Sequence, residues 1–179
     1  MTIYFASDHH LYHNKIIEFS RPQFSSLEEH NEFIVDRHNS VVRTEDVVYF
    51  LGDVCLSTSK QEDYDILKRF NGKKRLVVGN HDTPERIKIY HQYFEKIYGY
   101  STIGQKNGRD AAAIVSHIPV HPSQLEERYR TNICGHLHSE IITLPDGTLD
   151  KRYVCVSMEQ INYTPISLEE IYEKVKQND

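Results

Sequence analysis

The sequence predicts an α/β protein in which two facing mixed β-sheets are flanked by helices, and three observations lead there. Short apolar runs alternate with segments of helical periodicity, the pattern of a layered α/β domain. Five of those runs, at residues 3–6, 47–51, 75–78, 112–115 and 131–134, end in a residue cluster rich in Asp, Asn and His. Strand ends are where an open α/β sheet gathers its ligands, because the side chains there converge in the crevice outside the carboxyl edge. Finally, two late apolar segments, 141–144 and 152–156, flank Pro145-Asp146-Gly147 and read as an antiparallel hairpin, which makes the sheets mixed.

The elements follow in order. The first strand covers 3–6. A helix at 27–41 is announced by Ser26 as N-cap with Glu29 three residues on, a capping box. Leu27, His30, Phe33, Ile34 and Val41 then fall on one stripe at helical spacing. The strand at 47–51 is followed by a helix at about 60–70, with Ile66, Leu67 and Phe70 turned inward and Asn71-Gly72 closing it. After the strand at 75–78, Pro84 opens a third helix, since proline suits the first turn. The strands at 112–115 and 131–134 and the hairpin come next, and a last helix runs from Ser167 to about Lys176.

A chain of 179 residues without repeats, low-complexity tracts or Pro/Gly-rich linkers predicts a single domain over 1–179. At that length folding buries roughly 70% of the unfolded surface, enough for a core without staples. Cys55, Cys134 and Cys155 form no CxxC pair and their odd number is a poor disulfide framework. They read as buried small hydrophobes in a reduced, cytoplasmic protein. No segment has the length of a membrane span, and the apolar start at Ile3 to Ala6 is too short for a signal peptide. The net charge of −5, with Lys and Arg scattered, argues against a dedicated nucleic-acid surface. It does not argue against an anionic substrate, because bound divalent cations reverse the local sign.

The chemistry sits in the five clusters. Asp8 and His10, two residues apart at a strand end, offer a carboxylate and an imidazole to one side. Asp53 follows Gly52 where the backbone must turn sharply, a position suited to a carboxylate shared by two ions. Asn80 offers an amide oxygen, His117 another imidazole, and His136 and His138 a further i, i+2 pair. Any one of these alone is most simply a turn carboxylate or a packed histidine; all five at strand ends imply one polynuclear metal site. Mixed nitrogen and oxygen ligation suits manganese, iron, zinc, cobalt or nickel rather than magnesium or calcium. The absence of thiolates argues against a closed structural zinc site. Seven ligands are too many for one ion and suit two that share a carboxylate. The other histidines, His9, His30, His38, His91 and His121, read as surface or packing residues. No GxGxxG or GxxxxGK[ST] run marks a nucleotide-binding loop.

In order, DxH, GD, GNHD, a lone His and GHxH (Asp8 to His138) resemble the calcineurin-like metallophosphoesterase superfamily. Asp8-His9-His10-Leu11-Tyr12-His13-Asn14, Arg21-Pro22 and Asn162-Tyr163-Thr164-Pro165-Ile166 resemble a small single-domain branch of it. The resemblance implies that family's two-sheet sandwich, with Asp8, His10, Asp53 and His138 on one metal and Asp53, Asn80, His117 and His136 on the other. It implies two divalent transition-metal ions per chain, manganese first among them, and His81 as the catalytic histidine. The reaction implied is in-line attack of a metal-bridging hydroxide on a phosphate ester, with His81 protonating the leaving group. His13, Asn14 and Arg21 are the candidates for substrate binding.

One departure bears on substrate. Protein phosphatases of the superfamily carry an Asp and an Arg three and four positions beyond the bridging carboxylate, where this chain has Leu56 and Ser57. That leaves the partner of His81 open, with Asp82 the candidate by proximity, and makes protein-phosphatase activity a poor expectation. Without that Arg, and without an insertion long enough for a cap domain, the expected substrates are phosphodiesters, with a nucleotide-derived diester the leading class. Phosphomonoesters are the alternative substrate class. The alternative of another kind is a non-catalytic metal-binding scaffold for protein interaction, which the intact ligands and His81 disfavour.

Overall fold

In the computed structural model, which describes residues 1–57, 61–104, 113–126 and 129–176, two sheets lie face to face. The first has the order β4-β3-β2-β1-β9, built from β1 (Ile3–Ala6), β2 (Val47–Phe50), β3 (Lys73–Val77), β4 (Lys96–Tyr98) and β9 (Ile166–Ser167). β1 to β4 run parallel, and β9 is antiparallel to β1. The second has the order β5-β6-β7-β8, from β5 (Ser101–Ile103), β6 (Ala113–Val115), β7 (Thr131–Cys134) and β8 (Tyr153–Cys155). Only β5 is antiparallel to its neighbour there.

Alternation along β2 shows how the layers are held. Val47, Tyr49 and Leu51 join Phe5, Val77, Val115 and Ile133 in a core between the sheets. Val48 and Phe50 face the other way, into a core shared with the helices α1 (Asn14–Phe19), α2 (Leu27–Val41) and α3 (Pro84–Tyr90). Side chains alternate with period two along a strand, so a strand apolar at every position is buried on both faces, as parallel central strands are. Helix α4 (Leu168–Lys176) closes the inter-sheet core with Ile171. No helix among the described residues is long and apolar enough to cross a membrane.

Most expected elements are present, with informative differences. Helix α2 starts where its cap predicts, and Ser26 Oγ accepts from Glu29 N at 3.1 Å. The reciprocal half of the box is shifted: Glu29 turns to the N–H and hydroxyl of Ser25, at 2.8 and 2.6 Å. The buried face is His30, Asn31, Ile34, Val35 and His38, while Phe33 stays exposed; the helix is rotated to bring two histidines and an asparagine inward. The helix expected at 60–70 is a 3₁₀ helix, Gln61–Arg69, and residue 60 lies outside the described residues, as does Ala112 of the strand expected at 112–115. The hairpin at 141–156 is overturned. Its first arm keeps a single antiparallel bridge, Thr143 to Leu149, with Ile141 and Leu149 exposed. Tyr153–Cys155 pairs in parallel with β7 instead, because that ladder places the segment on the edge of a buried sheet, whereas an isolated two-stranded ribbon has nothing to cover its apolar side.

Candidate metal centre

Every expected metal ligand follows a parallel strand at its carboxyl end. Asp8 and His10 follow β1, Asp53 follows β2 and Asn80 follows β3 in the first sheet; His117 follows β6, and His136 and His138 follow β7 in the second. The sheets are stitched together at this edge: Ser7 N donates to Val156 O at 2.9 Å, and Met158 N donates to Ser7 O at 3.2 Å. The two rows of strand ends therefore meet.

The turns that carry the ligands are conformationally demanding. Asp8, His10, Asp53, His136 and His138 all have left-handed backbone, with φ of 59°, 50°, 52°, 71° and 49°. A non-glycine residue held there costs of order 1 kcal/mol or more, and such strain concentrates at functional sites. Close approach adds a steric demand. A Cβ on Gly52 would lie 2.5 Å from Gly79 Cα and 2.7 Å from His117 Nδ1, and one on Gly135 would strike the Ser7 side chain. Glycine at these positions lets the loops touch.

Two groups of ligand atoms result, each within 4.8 Å of one another: Asp8, His10 and His138, and Asp53, His117 and His136. Asp53 lies between them. Its Oδ2 is 4.0 Å from His10 Nε2, 3.4 Å from His117 Nε2 and 4.0 Å from His81 Nε2. Asn80 Oδ1 is 2.8 Å from His117 Nε2. Asp8, His10, Asp53 and His117 form a buried floor, while Asn80, His81 and His136 form an exposed rim.

The donor set fits divalent cations. Asp8 Oδ1 and His10 Nε2 are buried, 3.9 Å apart, and lack hydrogen-bond partners among the described residues. A buried polar atom left unpaired costs about 1–3 kcal/mol, and a cation between them removes that cost. The field of the site asks for positive charge as well. Burial alone would depress the His117 imidazole, but the hydrogen bond to Asp53 and the charge of Asp8 outweigh it and push it up to about 9.

The supporting groups were harder to foresee. Arg21, expected as a substrate contact, is fully buried and cannot meet a ligand from solvent. Its Nη2 donates to Asp8 O at 2.6 Å, Nη1 to His9 O at 2.9 Å and to His30 Nε2 at 2.8 Å, and Nε to Glu159 Oε1 at 2.9 Å. Glu159 lies outside every motif and also accepts from His138 Nδ1 at 3.0 Å. Burial would raise its carboxyl, but His138 and Arg21 hold it at about 2. Asp82, the candidate partner of His81, faces away from that ring: its carboxylate accepts from Gly79 N at 2.8 Å, Asp53 N at 3.0 Å and Tyr90 Oη at 3.1 Å. It ties two ligand loops together through their backbones. His81 is placed by its own main chain, whose N–H donates to Asp53 Oδ1 at 2.9 Å and whose carbonyl accepts from Arg86 at 2.6 Å. Its side chain is 50% exposed. His13 stacks on His10, with their Nδ1 atoms 3.0 Å apart, and Asn14 is exposed beside it.

Comparison with known proteins agrees with this arrangement. The chain is 32% identical to an uncharacterized protein of Methanocaldococcus jannaschii, over 97% of this chain and 91% of that one. It is 27% identical to the gene 66 protein of Mycobacterium phage L5, over 96% and 93% of the two chains. A crystal structure of a protein of unknown function from Aquifex aeolicus superposes with a TM-score of 0.76 at 28% identity, covering 96% of this chain and 98% of that one. The sequence model of the calcineurin-like phosphoesterases matches residues 1–174. With that match spanning the ligand-bearing strands of both sheets, the chain belongs to the calcineurin-like phosphoesterase family.

Proposed function

We propose that this protein is a dinuclear metal-dependent phosphoesterase that hydrolyses small phosphate esters and prefers phosphodiesters. The observation that carries the reading is the Asp53 carboxylate lying between two ligand groups. Asp8, His10 and His138 would hold one ion, Asn80, His117 and His136 the other, and Asp53 both. Bound there, two divalent ions supply Lewis acidity toward a phosphoryl oxygen and an activated water for in-line displacement. The nitrogen and oxygen donors suit manganese first, with iron, zinc, nickel and cobalt also admissible. The chain's own residues do the rest. His81 stands on the exposed rim, within reach of a leaving-group oxygen, and protonates it as general acid. His13 and Asn14 flank the approach and contact substrate.

The diester preference follows from charge and space. Arg21 and Arg86, whose guanidiniums touch the ligand loops, direct their terminal nitrogens at backbone carbonyls. Leu56 is buried, and Ser57 hydrogen-bonds Asp63, so among the described residues of the loop after Asp53 no side chain brings a cation either. A diester carries one negative charge fewer than a monoester at neutral pH and needs less neutralisation. The exposed rim leaves room for its second substituent, which we propose is nucleotide-derived. The three cysteines are unpaired, in keeping with a reduced, cytoplasmic setting.

Comparing kcat/KM for bis-nitrophenyl phosphate and nitrophenyl phosphate with Mn²⁺ tests the proposal. A higher value for the diester is expected. A clear advantage for the monoester reverses the preference, and hydrolysis of neither, by protein carrying its metals, favours the scaffold reading.

A further inference from the structure

We infer that Arg21 and Glu159 are a positioning pair that sets metal affinity at the Asp8–His10–His138 group alone, an inference that rests on the reading of the site as a metal centre. The geometry is one-sided. A single guanidinium grips the carbonyls of Asp8 and His9 and the same Glu159 oxygen that accepts from His138 Nδ1. It therefore fixes the backbone that presents Asp8 and His10 and, through Glu159, the ring of His138. These ligands are more than 120 residues apart along the chain (10 to 138) and come from different sheets. With Nδ1 donating to Glu159, a neutral His138 ring would present Nε2, which lies 3.9 Å from Asp8 Oδ1, as its metal-binding nitrogen. Among the described residues, no carboxylate holds the far nitrogen of a histidine in the second group: His117 Nδ1 faces the Leu51 carbonyl at 2.6 Å, and Asp82 acts there only through the backbone N–H groups of Gly79 and Asp53.

Stability alone does not account for this pair. Arg21 is among the largest fully buried side chains of the chain. Replacing a buried ion pair by apolar residues of similar volume is often neutral or stabilising. The ionic contact thus adds little to the fold by itself; what it does is join the guanidinium on the Asp8 and His9 carbonyls to the carboxylate on His138. Carboxylates that orient a ligating histidine are typically worth 10- to 100-fold in metal affinity.

The test uses the full chain, Mn²⁺ as the probe, and two variants, Glu159→Gln and the double replacement Arg21→Met with Glu159→Leu. Metal content after equilibrium dialysis and calorimetric titration gives affinity for each ion; thermal melts of the chelator-treated proteins give fold stability. In both variants one of the two ions is expected to bind 10- to 100-fold more weakly while the other keeps its affinity. The double variant also takes the donor from the carbonyls of Asp8 and His9, so a lower metal-free melting temperature is expected of it, and the loss of one ion and not the other is the deciding result. Two ions held as tightly as in the parent, or both weakened equally, would overturn the inference. So would a double variant whose lost stability alone explains weaker uptake of both ions. If the double variant does not fold, Glu159→Gln decides by the same one-ion criterion. A parent protein that takes up no Mn²⁺ would instead remove the metal-centre reading and this inference with it.

Discussion

Asp53 brings one carboxylate oxygen to 4.0 Å or less of three histidine rings, His10, His81 and His117, so its removal should not act locally. Asp53→Asn is expected to weaken both metal positions together, whereas His10→Ala should loosen mainly one. Elemental analysis after dialysis checks this, and an Asp53→Asn protein that keeps two tightly held ions would end the shared-carboxylate assignment. His81 makes a different prediction because its ring stands at the rim. His81→Ala should keep its metals yet lose roughly 10²–10⁴-fold in rate on esters with poor leaving groups. The loss should be much smaller for nitrophenyl esters, whose leaving group departs without a proton; an equal loss on both would make His81 a positioning or charge-stabilising group instead. Residues of this kind were legible in the sequence because each follows an apolar strand within four positions. Glu159 was not, since its role is made wholly of contacts to Arg21 and His138, far from it along the chain. Arg21 was visible but misdirected: beside Pro22 it reads as a substrate contact, and only the tertiary fold buries it.

At the scale of elements, the strands that the sequence shows plainly are those that carry ligands. Their apolar runs are forced by burial on both faces, as in Val47 to Leu51. β4, β5 and β9 are three, three and two residues long, too short for a periodic signal, and they were missed for that reason. The strand ends also explain why the loops are intolerant. Ser7 Oγ donates to Leu51 O at 2.6 Å, so it cannot swing away from a Cβ introduced at Gly135. Gly135→Ala should therefore destabilise the protein by about 1–3 kcal/mol, the usual cost of overpacking, and should weaken metal uptake by displacing His136. Chemical denaturation and metal analysis together check this; unchanged values in both would show that the two sheets give way at their shared edge. Ser26→Ala, far from the site, should cost about 1 kcal/mol through loss of the α2 cap and leave metal content untouched.

For the molecule as a whole, the buried histidines set the response to acid. His38 on α2 packs against Phe50 and Phe70, and its Nε2 donates to Asn71 O at 3.0 Å. Burial outweighs that hydrogen bond, which favours the charged form, and with Lys74 nearby it holds the imidazole down at about 4. In the unfolded chain the same group titrates near its ordinary value of about 6.5. Between those two values the unfolded state binds a proton that the folded state refuses, so stability rises with pH across this window. The contribution is fully present above about pH 6.5 and is lost as pH falls toward 4, at no more than about 1.4 kcal/mol per pH unit. A neutral His38→Gln protein, which can still donate to the Asn71 carbonyl, should show a shallower fall in stability over the same range. Urea unfolding of both proteins from pH 7 to pH 4 measures it. The metal ligands titrate alike in the two proteins, and sites without shared partners contribute additively, so the difference in slope belongs to His38. Parallel curves would mean that the ring is charged in the folded protein, with the cost of its burial met elsewhere in the helical core.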